Sequence, residues 1–270
     1  MIRIGAVEFL NARPLAWGLK HAEWCDVRFD VPSECARLLH GGHIDVGLVP
    51  AIELLRGDAP FEVVPGLAIA CRGPVASVAL FSRRPVSAIR TIALDTSSRS
   101  SAGLLRILCA RHFGITPTFV DQPPDLEAML ANADAALLIG DPALDASWRE
   151  LDADKIDLGE AWLAMTGLPF VFAVWAARPG SLTGQVVTGL HEAYASGRDA
   201  IDLIAREYAG GDRDREAAAA HYLREHIRYD LDGDAQQGLT RYLALAVELG
   251  LAPARTFAIG DAVVAAGAKS

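Results

Sequence analysis

Through roughly the first 180 residues, short continuous apolar runs alternate with stretches whose apolar positions recur every three to four residues. This is the pattern of buried strands interleaved with amphipathic helices. Ile2 to Val7 reads as a buried strand, and Asn11-Ala12-Arg13-Pro14 opens a helix to about His21, with Pro14 suited to its first turn. Val27 to Val31 is a second strand. Pro32-Ser33 starts a helix to about His40, Gly41-Gly42 ends it, and Ile44 to Val49 is a third strand closing at Pro50. The order βαβαβ predicts a parallel sheet with right-handed crossovers.

Glu62 to Cys71 and Val75 to Ser82 follow as two strands with no helix between them, so they are expected to be antiparallel or a crossing pair. A second α/β series then begins: strand Ile92 to Leu94, helix Ser98 to Phe113 stopped by Gly114, strand Thr116 to Val120, helix Asp125 to Ala131 and strand Ala135 to Ile139, ending in Gly140-Asp141-Pro142. Phe170 to Ala176 returns as one apolar strand, and from Thr183 onward the pattern predicts helices only. The expected architecture is two α/β lobes, 1–85 with 177–270 and 86–176, joined by two crossings, with a helical tail on the first lobe and a ligand cleft between the two.

A length of 270 residues suits two lobes, and 51% apolar residues mark a well-buried globular chain. Lys and Arg number 25 against 34 Asp and Glu, a net charge of −9, which argues against a nucleic-acid or anionic-membrane surface. An anionic ligand would then be held by local groups. No signal-type segment opens the chain and no run approaches the roughly 20 apolar residues of a membrane span, so the expectation is a cytoplasmic protein. Cys25, Cys35, Cys71 and Cys109 lack CxxC spacing and are expected as buried thiols, with no disulfide, metal or other cofactor.

The candidate chemistry lies in Asp95-Thr96-Ser97-Ser98-Arg99-Ser100-Ser101, where a strand runs into a hydroxyl-rich turn that opens a helix. Free backbone N–H groups, the positive end of the helix dipole and short hydroxyls together bind carboxylate or phosphate. An ordinary N-cap explains one hydroxyl, whereas this turn offers five. Asn11, just past the first strand, reads equally as a cap or as a donor into the cleft. Ser77 is either a strand serine bonded to a neighbour or a ligand contact from the other wall. No histidine or cysteine has a triad-like or metal-like partner at useful spacing.

Five blocks in order between residues 4 and 173 resemble one family: Leu10-Asn11-Ala12-Arg13-Pro14-Leu15, Gly42 to Pro50, Asp95 to Ser101, Ile139 to Leu144, and Asp157-Leu158-Gly159 with Trp162 to Ala173. They are similar to the chorismate dehydratases of the futalosine route to menaquinone, whose fold resembles type II periplasmic binding proteins. Glu8-Phe9 departs from the Ser-Tyr that often precedes the asparagine in that family, which leaves the role of position 8 open. The Ser-Pro-Cys-Pro-Asn-Asp type motif of the sister enzyme is absent.

The resemblance implies elimination of water from chorismate to give 3-[(1-carboxyvinyl)oxy]benzoate. It directs catalysis to Asn11, while the hydroxyl turn and the cleft strands offer Ser77, Thr96, Ser97, Ser98 and Ser101 for substrate binding, with Thr166 and Phe170 as pocket walls. Arg13 is either a carboxylate partner or a solvated or lobe-bracing charge, and Asp141 reads as structural, since an extra carboxylate beside a dianion opposes binding unless it is protonated or paired. With no protein base evident, the enolpyruvyl carboxylate of the substrate is expected to take the C3 proton. The alternative is a non-catalytic small-anion-binding protein of the same fold, a solute receptor or sensor.

Overall fold

The computed structural model describes residues 1–57, 60–148, 152–259 and 262–266. The chain begins β1 (Ile2–Val7), α1 (Arg13–Ala16), β2 (Cys25–Asp30), α2 (Pro32–His40), β3 (Val46–Pro50) and β4 (Glu62–Cys71). It continues β5 (Val78–Ser82), β6 (Thr91–Asp95), α3 (Ser100–Leu108), β7 (Thr118–Gln122), α4 (Leu126–Asn132), β8 (Ala135–Ile139), α5 (Gly140–Ser147), β9 (Asp154–Asp157) and α6 (Leu158–Thr166). Then come β10 (Phe170–Ala177), α7 (Gly184–Asp199), α8 (Ile201–Ala209), α9 (Arg213–His221), β11 (Arg228–Leu231), α10 (Gly233–Glu248), β12 (Arg255–Ile259) and β13 (Ala262–Ala266).

Two sheets result. The first has eight strands in the order β13-β12-β4-β10-β3-β1-β2 with β11 added on β4, and the second has five, β7-β6-β8-β5-β9. The expected βαβαβ start is present: β1 pairs in parallel with both β2 and β3. In the second sheet β6 is parallel to β7 and β8, while β5 runs antiparallel to β8 and β9. The helix expected from Asn11 to His21 is broken into a 3-10 turn at Leu10–Ala12, the single turn α1 and a second 3-10 turn at Leu19–His21.

Three expectations need correction. Strands change sheet between Cys71 and Val78 and between Asp157 and Phe170, so the crossings precede the expected boundaries at 85/86 and 176/177. Both β5 and β10 are buried along their whole length. A strand buried on both faces carries no alternation to show which sheet it joins. The tail is not purely helical: β11 pairs with β4, and β12 pairs with β4 and β13, extending the first sheet.

The two crossings are tied by one side chain. The Asp157 carboxylate accepts from the Val75 and Ala76 N–H groups on the first crossing, at 3.0 and 2.7 Å, and from Gly159 and Glu160 at the start of α6, at 2.9 and 3.2 Å. It thereby holds Ala76 at a φ of 62°, in the left-handed region that a non-glycine residue enters only when its surroundings enforce it. Beneath the cleft, Trp162, Phe170, Phe172 and Tyr242 pack edge to face, joining α6, β10 and α10.

Candidate functional site

The cleft forms where the parallel strands of both sheets end. Val7 ends β1 and leads to Phe9 and Asn11, Pro50 ends β3, β6 leads to Ser97 through Ser101, and β8 ends in Ile139 before Gly140. About 520 Å³ of atom-free space lies between these ends, open solvent at the mouth included. Gly140, at φ 61°, is where the lobes touch: a Cβ there would lie 2.5 Å from the Phe9 ring. Next to it, the Asp141 Oδ1 atom accepts from the Leu10 N–H at 2.9 Å, binding the end of β1 to the start of α5.

The hydroxyl turn is present, but its polar groups are divided between structure and cleft. Asp95 is buried and accepts from the Ser97 N–H (2.8 Å), the Ser97 hydroxyl (2.6 Å) and the Ile139 N–H (3.3 Å). Burial raises its proton affinity, and these three donors partly offset that. Ser97 lines the cleft, yet its hydroxyl proton is committed to Asp95. The Ser98 hydroxyl accepts from the Ala102 N–H at 3.2 Å and acts as a helix cap. Thr96 is exposed, and its N–H donates to the Gln122 carbonyl. Neither Ser98 nor Thr96 lines the cleft.

The donors that remain lie one turn further on. Among the described residues, the N–H groups of Arg99, Ser100 and Ser101 have no hydrogen-bond partner, as expected at a helix start. All three residues line the cleft. The Ser100 hydroxyl accepts from the Ile52 N–H at 3.2 Å, leaving its own proton to donate, and Ser101 is buried with no partner for its hydroxyl among the described residues. Tyr242 donates to the Ser100 carbonyl at 2.9 Å, so the start of α3 is clamped to the other lobe.

Arg99 is the cation at this wall. Its guanidinium lies 3.2 Å from Glu53, a carboxylate only 1% exposed that also receives His40 at 2.7 Å and Arg56 at 3.2 Å. Burial opposes ionisation of Glu53, but His40, Arg99 and Arg56 outweigh it and hold the carboxyl below its usual range. Two arginines around one carboxylate leave net positive charge at this wall, and of the two Arg99 lines the cleft. Arg99 and Ser100 are not among the residues that the sequence singles out; the signal for them is the position of Ser100 and Ser101 as the first two helical residues, where N–H groups are unsatisfied.

On the opposite side, Asn11 sits in the 3-10 turn after β1, and Ser77 ends the first crossing, just before β5; both line the cleft. Arg13 does not line it but stacks over the Tyr208 ring at 5.3 Å. Two expected wall residues are elsewhere. Thr166 ends α6, where its hydroxyl donates to the Trp162 carbonyl at 2.8 Å and accepts from the Leu168 N–H. Phe170 is fully buried in the aromatic cluster, and Phe172, two residues on along β10, reaches the cleft in its place. Periodicity identifies the face of β10 but not which of its aromatics lies at the cleft.

The one titratable side chain lining the cleft, among the described residues, is that of Arg99. Asp141 stands just behind; burial pushes its carboxyl up to about 6, against the Leu10 hydrogen bond and the Arg13 charge. The four cysteines are buried, with the thiols of Cys35 and Cys109 pushed up to about 12 by desolvation, so none is a ready nucleophile. Among the described residues no three His, Cys, Asp or Glu side chains converge to hold a metal ion, and no helix is long and apolar enough to cross a membrane.

Residues 2–248 match a family described as menaquinone biosynthesis. The chorismate dehydratase of Thermus thermophilus is 30% identical over 266 residues, covering 93% of this chain and 96% of that relative. A solved protein from Archaeoglobus fulgidus superposes with a TM-score of 0.74 at 18% identity, covering 93% of this chain and 98% of its own. The periplasmic aliphatic sulphonate binding protein of Escherichia coli does so with a TM-score of 0.66 at 19% identity, covering 93% of each. These two likenesses establish the fold, a two-lobed arrangement shared with periplasmic binding proteins.

Proposed function

The chain belongs to the menaquinone biosynthesis family, and on that premise we propose that its cleft eliminates water from chorismate, acting as a carbon–oxygen lyase. The observation that carries the mechanism is the lining of the cleft: donors and one cation are gathered there, and no carboxylate, imidazole, thiol or amine lines it among the described residues. Such a site binds anions well and has no side chain suited to take a proton near neutral pH.

The chemistry needs little more. In chorismate the C3–H bond is γ to the ring carboxylate through the C1=C2 double bond, so its electron pair, once released, delocalises toward that carboxylate. The same pair then forms the C3=C4 double bond as the C4–O bond breaks, and the ring becomes aromatic. We assign the N–H groups of Ser100 and Ser101, the Ser101 hydroxyl and the Arg99 guanidinium to one substrate carboxylate. Asn11 and Ser77 lie on the other wall, where donors stabilise the departing hydroxide or orient the side chain. The enolpyruvyl carboxylate takes the C3 proton, and that proton and the hydroxide leave as water. The protein supplies orientation and exclusion of solvent, effects worth several powers of ten in rate.

This reading also takes the enzyme to be cytoplasmic, as suits a biosynthetic step on a soluble metabolite. Purified protein mixed with chorismate should yield an aromatic product, seen in the ultraviolet and by NMR. Saturable binding with chorismate recovered unchanged would instead support the receptor reading.

A further inference from the structure

Tyr222 belongs to the helical tail, far in sequence from every cleft motif, yet its phenol is fully buried against the cleft wall, 2.7 Å from the Ser77 hydroxyl oxygen. We infer that Tyr222 is a positioning residue: by donating to Ser77 it leaves the Ser77 proton with one direction to point, toward an anionic oxygen of the ligand in the cleft. The inference deepens the proposed dehydration by naming what orients one of its donors.

A hydroxyl has one proton and two acceptor positions, so the partner that donates decides where the other's proton goes. A phenol is the stronger acid of the pair and donates. Desolvation raises the Tyr222 phenol well above its usual value, so it keeps its proton at every working pH. The result is a directed series, Tyr222 O–H to Ser77 O–H and onward into the cleft, in which the first bond polarises the second.

The end of that series is open. The Ser77 backbone is fully used, its N–H bonded to the Val75 carbonyl at 2.7 Å and its carbonyl accepting from Gly140 at 2.8 Å. Its hydroxyl proton has no acceptor among the described residues, although the residue is 0% exposed. A buried hydroxyl proton without a partner is unfavourable, and Ser77 lines the cleft. A substrate oxygen bearing negative charge completes it. The arrangement also explains why tail and crossing pack together: the π-turn carrying Tyr222 also brings His226 Nδ1 to 3.0 Å from the Pro74 carbonyl, on the same crossing as Ser77.

The test compares Tyr222→Phe, Ser77→Ala and the double variant with wild type in two readouts, chorismate turnover and calorimetric binding of isophthalate, an unreactive meta-dicarboxylate. Tyr222→Phe should lower kcat/KM and isophthalate affinity each by roughly 10-fold, the loss of a charge-assisted hydrogen bond. Ser77→Ala should lose at least as much, and the double variant no more than Ser77→Ala alone, because Tyr222 acts through Ser77. A folded Tyr222→Phe with unchanged turnover and binding, or losses that multiply in the double variant, would overturn the inference. If Tyr222→Phe fails to fold, Ser77→Thr decides: it should regain most of what Ser77→Ala loses, and equal loss in both would overturn it. If chorismate is not consumed even by wild type but the binding pattern holds, the dehydration reading fails and the positioning role stands.

Discussion

Replacing Asp141 by asparagine isolates the electrostatic cost of the contact between the lobes. The Asp141 carboxyl accepts from Leu10 N–H, and an asparagine side-chain oxygen preserves that bond without a charge. Burial pushes the folded carboxyl up to about 6, whereas an unfolded one titrates near about 3.9. The two states therefore differ in their cost of ionisation by at most about 3 kcal/mol. The sign follows from the raised folded value. Folding favours the protonated form, so the stability Asp141 contributes is complete below the unfolded value and is lost as pH rises through about 6. The amide of Asp141→Asn would mimic the protonated form at all pH values. Urea unfolding from pH 4 to 7.5, followed by both circular dichroism and fluorescence, should show the variant close to wild type at pH 4 and more stable by about 2–3 kcal/mol above pH 7. A difference that stays constant, or that turns against the variant as pH rises, would refute the reasoning by showing that Arg13 and the Leu10 N–H outweigh desolvation.

Other outcomes follow from the same contacts. Arg99→Gln should raise KM for chorismate roughly 10-fold, with Arg99→Lys intermediate because a point charge replaces a planar fork, as steady-state kinetics will show. Asp157→Ala should destabilise the fold by roughly 2–4 kcal/mol, measured by denaturant midpoint, because backbone N–H groups of both crossings lose their acceptor. Turnover should survive exhaustive dialysis against a chelator, since no ligand cluster is formed among the described residues; activity lost and then restored by a divalent ion would contradict this.

The parts legible in the sequence are those written in local periodicity and end signals. β1, β2 and β3 with α2 between Pro32 and Gly41 are readable because strand runs, an N-terminal proline and terminal glycines agree with one another. The anion-binding turn is readable as a turn, but not its division of labour. Ser97 is diverted to Asp95 by the buried carboxylate two residues before it, and Ser98 caps the helix, so the free donors move on to Arg99 through Ser101. Nothing local marks Arg99 as facing the cleft, because its orientation is set by Glu53 in the other lobe. The same holds for Tyr222, whose partner is 145 residues away. The strands β11 to β13 are short and hidden in a helix-rich tail; the pairing of β11 and β12 with β4, and of β13 with β12, is a tertiary choice, where context outweighs propensity.

The central claim is that this cleft dehydrates chorismate with the substrate's own side-chain carboxylate as base. Chorismate and its enolpyruvyl methyl ester, each at saturation and followed by NMR, test it directly. The prediction is conversion of chorismate to an aromatic product, with the ester bound and recovered unchanged. Elimination from the ester at a rate comparable to that from chorismate would contradict the claim, since the proton must then pass to a group of the protein.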